Sequence, residues 1–153
     1  MNQSTHGPGE DLFQRLQQQA AANPGRALCA ADAPAHQLPD AASIQALLAL
    51  GARLPPAHRT FPLDATGYPV YPPALKDFFS AASAPGWQVH GYDPPFVGRC
   101  LRTPGALEAS DLSGLCLLLT WMVRGERFSA GHWGAMLEHG HLQRWLARLA
   151  RLA

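Results

Sequence analysis

The chain has 153 residues, 47% of them hydrophobic, and a formal net charge of +1. That length suits one ordinary domain with a core large enough to fold without a metal or disulfide staple. A charge this close to zero excludes a globally basic, nucleic-acid-binding type of domain and leaves only local basic patches to consider.

The first nine residues, with His6, Gly7, Pro8 and Gly9, read as a flexible N-terminus, and residues 10–153 as a single globular domain. Glu10–Ala22 suits a helix with Leu12, Phe13 and Leu16 on one face, stopped at Asn23-Pro24-Gly25. Residues 23–39 read as a loop. Asp40 is a good N-cap for a helix over 41–50 whose Ile44, Leu47 and Leu48 share a face, with Gly51 as its C-cap. Six prolines fall between Leu54 and Pro73, too many for a central strand. This stretch reads as an extended connector that turns at Asp64–Gly67 and is pinned to the body by Tyr68, Val70 and Tyr71. Its aromatics, with Phe61, could also form an exposed ledge for a partner. A short helix over 74–82 should bury Leu75, Phe78 and Phe79. Gly91–Pro95 reads as a turn, and residues 96–108 are ambiguous.

The C-terminal third has the strongest pattern. Leu112, Leu115, Cys116, Leu119, Met122 and Val123 form one helical stripe. Ser110 is the expected cap, and Leu117, Leu118 and Trp121 off the stripe make this helix central. A short helix over 130–138, capped by Ser129, should turn Trp133, Met136 and Leu137 inward. After Gly140, a last helix over 141–152 places Leu142, Trp145, Leu146, Leu149 and Leu152 on one face. The expected fold is mainly α, a compact bundle of five or six helices. A small hairpin at 60–72 or 87–102 would make it α+β.

Asp111–Leu149 carries an apolar helix, then Arg124-Gly125-Glu126-Arg127-Phe128, then Gly131, Gly140 and the run Leu142, Trp145, Leu146, Leu149. In these features it resembles a bacterial family catalogued as a domain of unknown function, number 6508 in that series. Tyr68–Phe79 resembles a weaker family segment of aromatics and prolines before a helix. The resemblance implies a soluble bacterial domain, often associated with mobile elements, and it implies no activity.

Two arginines around Glu126 suggest either an internal ion pair, with Glu126 bridging Arg124 or Arg127, or a site for an anion or acidic partner. Arg144, Arg148 and Arg151 follow i, i+4, i+7 on the last helix and make a basic stripe, either a solvated face or a contact for phosphate or an acidic protein. His132, His139 and His141 are weak metal candidates, because they lack the four-residue histidine spacing of zinc enzymes. Cys29, Cys100 and Cys116 are irregularly spaced and read as free thiols in a reducing cytoplasm. The N-terminus has no signal-peptide core, and no apolar run is long enough for a membrane span. Nucleotide, serine-hydrolase and two-carboxylate metal signatures are missing.

The expectation is therefore a non-enzymatic protein without a cofactor that binds a protein partner in the cytoplasm, not a membrane. Concrete forms are a mobile-element accessory protein or an inhibitor of a host defence complex. The alternatives are nucleic-acid binding through the arginine stripe and a small histidine- or metal-dependent enzyme. Oligomeric state is left open.

Overall fold

The computed structural model describes residues 37–91 and 93–153. They belong to the compact unit His36–Ala153. The helix expected at 10–22, the flexible first nine residues and Cys29 lie outside the described residues.

Six helices follow in order: α1 (Ala41–Gly51), α2 (Pro73–Ala82), α3 (Pro94–Arg102), α4 (Leu112–Gly125), α5 (His132–Glu138) and α6 (His141–Leu152). The fold is mainly α, as the periodicities predict. Helix α4 is central and packs against α2, α3, α5 and α6, while α1 closes over α2 and α6. Among the described residues, no helix is long and apolar enough to cross a membrane.

Asp40 caps α1, its carboxylate accepting from the Ser43 amide at 2.8 Å. Gly51 is the last residue of the helix rather than its C-cap. A Cβ on Gly51 would lie 2.6 Å from Leu146, so the close α1–α6 approach uses its missing side chain. Pro73 opens α2 at a position where the absent N–H costs nothing. Leu75, Phe78 and Phe79 are fully buried, as expected. Phe79 stacks on Trp133 at 4.4 Å, and Phe78 meets Trp145 edge-on. The Trp145 indole also donates to the Leu115 carbonyl at 2.9 Å, which joins α6 to α4. Each such aromatic, once buried, stabilises the fold by about 1.5–3 kcal/mol.

Three further expectations need correction. Residues 94–102 form a helix, where the sequence reads as a turn and an ambiguous stretch or a hairpin. Asp93 accepts from the Phe96 amide at 2.9 Å, and Pro94 occupies the first helical position. Asp111, not Ser110, caps α4, accepting from Gly114 N at 2.8 Å. Ser110 is buried, and its hydroxyl donates to the Ala106 carbonyl. Finally, α5 begins at His132 after left-handed Gly131, with no cap from Ser129.

The other expected hairpin, at 60–72, is reduced to one isolated antiparallel bridge between Leu63 and Pro69. Its turn falls where the sequence puts it, with Gly67 at φ +82 and its amide bonded to the Asp64 carbonyl at 3.0 Å. Cys100 and Cys116 are buried free thiols.

Candidate functional site

Glu126 sits where two irregular segments meet. One is the turn between α4 and α5, residues 126–131; the other is the proline-rich connector before α2. Gly125 ends α4 against the imidazole of His132, where any Cβ would overlap the ring. The chain then turns tightly, Phe128 N and Ser129 N both donating to the Gly125 carbonyl. The turn aims the Glu126 side chain inward.

There it accepts four hydrogen bonds. The hydroxyls of Tyr68 and Tyr71 donate to Oε1 at 2.8 and 2.9 Å. The Gly131 amide also donates to Oε1 at 3.1 Å, and the Trp133 amide to Oε2 at 2.8 Å. The two amides belong to the start of α5, so Glu126 supplies the cap that this helix has from no residue at its own N-cap position. The hydroxyls fasten the connector. Tyr71 is buried beside Trp133 at 5.8 Å and Phe61 at 5.4 Å, and the close approach of both Phe61 and Tyr71 to the missing Cβ of Gly134 makes room for them.

Burial is the largest effect on Glu126 and opposes its charge. The hydrogen bonds from Trp133, Gly131, Tyr68 and Tyr71 together outweigh it and hold the carboxyl below the usual range. Burial first, and then the bond to Glu126, pushes the Tyr71 phenol well up. The cluster is therefore one carboxylate held by neutral donors. Nothing in it is poised to exchange a proton near neutrality.

The arrangement corrects the expected ion pair. Among the described residues, neither Arg124 nor Arg127 pairs with Glu126; both are exposed. Phe128, the last residue of the same motif, is 89% exposed. Pinning of the connector is also divided. Tyr71 is buried, Tyr68 is exposed but tied through its hydroxyl and by edge-on contact with Tyr71, and Val70 faces solvent.

The arginine stripe on α6 is largely spent on the fold. Arg144 grips Glu108 with a two-point fork, at 2.7 and 2.9 Å, and this holds the Glu108 carboxyl well below the usual range. Arg148 donates to the Ser110 carbonyl at 2.8 Å. Arg151 is exposed. The three candidate metal ligands are not brought together. His132 packs edge-on against Trp121 at 4.5 Å, whereas His139 and His141 face each other at 6.0 Å. Among the described residues, no three His, Cys, Asp or Glu side chains converge as a metal site would need.

Beside the motif lies a cleft of about 610 Å³ that the sequence did not reveal. It runs between the start of α3, the outer face of α4 and the turn after α4. Val97, Leu117 and Trp121 give it apolar walls, and Arg124, Asp93 and Phe128 stand at its rim.

No curated protein and no solved structure matches the chain. The model of the family of unknown function DUF6508 matches residues 64–153, which begins at the Asp64 turn and takes in Tyr68, Tyr71, Glu126 and the whole cleft. The chain belongs to that family.

Proposed function

We propose that this chain is a non-enzymatic binding protein that takes a protein partner on the face built by the two segments tied through Glu126. One observation carries this reading. Six large hydrophobic residues are exposed among those described, and four of them, Leu63, Tyr68, Val70 and Phe128, lie in these two segments. Exposed apolar residues scattered singly are ordinary, but a set gathered on one feature marks an interaction surface. The connector and the turn also touch, since Pro69 lies 3.5 Å from where a Gly131 Cβ would stand.

Arg124 and Arg127 precede Phe128, and arginine and aromatic residues are enriched in protein interfaces. The Glu126 hydrogen bonds fix both segments before any partner arrives, which lowers the entropy lost on binding. A mobile-element accessory protein, or an inhibitor acting on a host complex, is a concrete form of this reading that the family resemblance suggests.

The test is a pull-down from bacterial lysate, with and without nuclease. It compares the natural chain with a Phe128→Ser/Val70→Ser variant that melts at the same temperature. A nuclease-resistant protein partner that the variant loses supports the reading. Recovery that disappears with nuclease, or is equal for both chains, refutes it.

A further inference from the structure

We propose that the cleft between α3, α4 and the turn after α4 takes a linear segment of a protein partner bearing an aromatic or aliphatic anchor with a carboxylate next to it; this deepens the binding reading above and rests on it. The volume, about 610 Å³, falls within the range of clefts that enclose a ligand, roughly 300–1,000 Å³. Its walls, Val97, Leu117 and Trp121, suit an apolar anchor. The Trp121 ring meets His132 edge-on at 4.5 Å, and His132 is itself packed tightly against Gly125.

The charge at the rim selects the neighbour of that anchor. Two formal charges stand there, Asp93 and Arg124. The Asp93 carboxylate keeps its charge, but it is held at the N-terminus of α3 by the Phe96 amide, where the helix dipole partly offsets it. Arg124 is exposed and, among the described residues, has no acidic partner. The nearest carboxylate in sequence, Glu126, has turned away with both oxygens occupied. The rim charge with no partner among the described residues is thus a guanidinium, whose planar fork matches a carboxylate. A peptide is favoured over a free acid because Phe128 belongs to both the cleft rim and the exposed apolar face.

The experiment is an NMR titration of the ¹⁵N-labelled full chain with four probes. They are an acetylated, amidated pentapeptide with phenylalanine followed by glutamate, its glutamine analogue, its alanine-for-phenylalanine analogue, and phenylacetate. The Trp121 indole and the Gly91 and Val97 amides should shift with the first peptide, while the Trp145 indole, buried in the core, stays still. Binding should weaken by about five-fold with the glutamine analogue and with Arg124→Gln, the upper end of what an exposed ion pair supplies. It should weaken further with the alanine analogue.

Equal binding of the glutamate and glutamine peptides to the natural chain overturns the proposal, and that comparison needs no variant to fold. So do shifts confined to other surfaces, phenylacetate binding as tightly as the peptide, or shifts that follow protein concentration through self-association. No shift with any probe, while the captured partner is still lost on Phe128→Ser/Val70→Ser, removes the cleft and leaves the binding face standing. Capture indifferent to that double change removes the face itself.

Discussion

Replacing Glu126 by alanine should destabilise the chain by about 2–3 kcal/mol. Gly131 N and Trp133 N would lose their acceptor at the start of α5, a loss comparable to removing an N-cap, about 1 kcal/mol. The buried Tyr71 hydroxyl would lose its acceptor as well, which costs about 1–3 kcal/mol. Tyr68 is exposed enough for water to replace the carboxylate. Relief of the burial penalty on Glu126 keeps the sum toward its lower end. For a unit of this size the melting temperature should fall by roughly 8–12 °C.

Glu126→Gln separates charge from shape. The folded-state pKa of Glu126 is depressed, so its contribution is fully present above the unfolded-state pKa and is lost as pH falls through the folded value. The gap in unfolding free energy between the natural chain and Glu126→Gln should therefore be widest near neutrality. It should narrow as pH falls below the usual carboxylate range and close only below the depressed folded value. Thermal and urea unfolding followed by far-ultraviolet circular dichroism measure both effects. A loss under about 0.5 kcal/mol for the alanine variant, the size of an ordinary surface change, would refute the clamp. So would a gap unchanged between neutral and acid conditions.

Gly125→Ala should cost about 1–3 kcal/mol by forcing a Cβ into the His132 ring. Most of that loss should vanish in a His132→Ala background, and simple additivity in the double-mutant cycle would show that the contact does not set the cost. Arg144→Met should cost no more than about 1 kcal/mol despite the ideal fork to Glu108, because both side chains are partly solvated. The loss should shrink further in high salt, and a larger, salt-insensitive loss would contradict the pair's exposure.

Local features of the fold were legible and long-range ones were not. The apolar stripes of α4 and α6, the Asp40 cap and the Asp64–Gly67 turn each depend on residues a few positions apart, so the sequence displays them directly. Helix α3 was missed although its signal is local. Asp93-Pro94-Pro95 is turn chemistry, but an Asp N-cap with proline in the first helical positions uses the same residues. The tie-breaker was Phe96, Val97, Cys100 and Leu101, spaced as one helix face. The partners of Glu126 had no such signal, because Tyr68 and Tyr71 lie 58 and 55 positions upstream. Likewise Glu108 and Ser110, which take up Arg144 and Arg148, are 36 and 38 positions away. Charge pattern along one helix cannot tell a solvated arginine from one spent on a neighbouring turn.

The motif Arg124-Gly125-Glu126-Arg127-Phe128 divides by direction, and the division bears on function. Gly125 and Glu126 face the protein, where one makes room for His132 and the other joins α5 to the connector. Arg124, Arg127 and Phe128 face solvent. Stability of the fold alone gives no reason to hold an aromatic ring out at 89% exposure, where it forgoes about 1.5–3 kcal/mol of burial. Leu63 and Val70, on the connector that Glu126 fastens, also point outward. A partner that covers Phe128, Leu63 and Val70, as proposed above, accounts for this exposure. It recovers the apolar burial, and it meets segments whose freedom the Glu126 hydrogen bonds and the connector's prolines have already reduced.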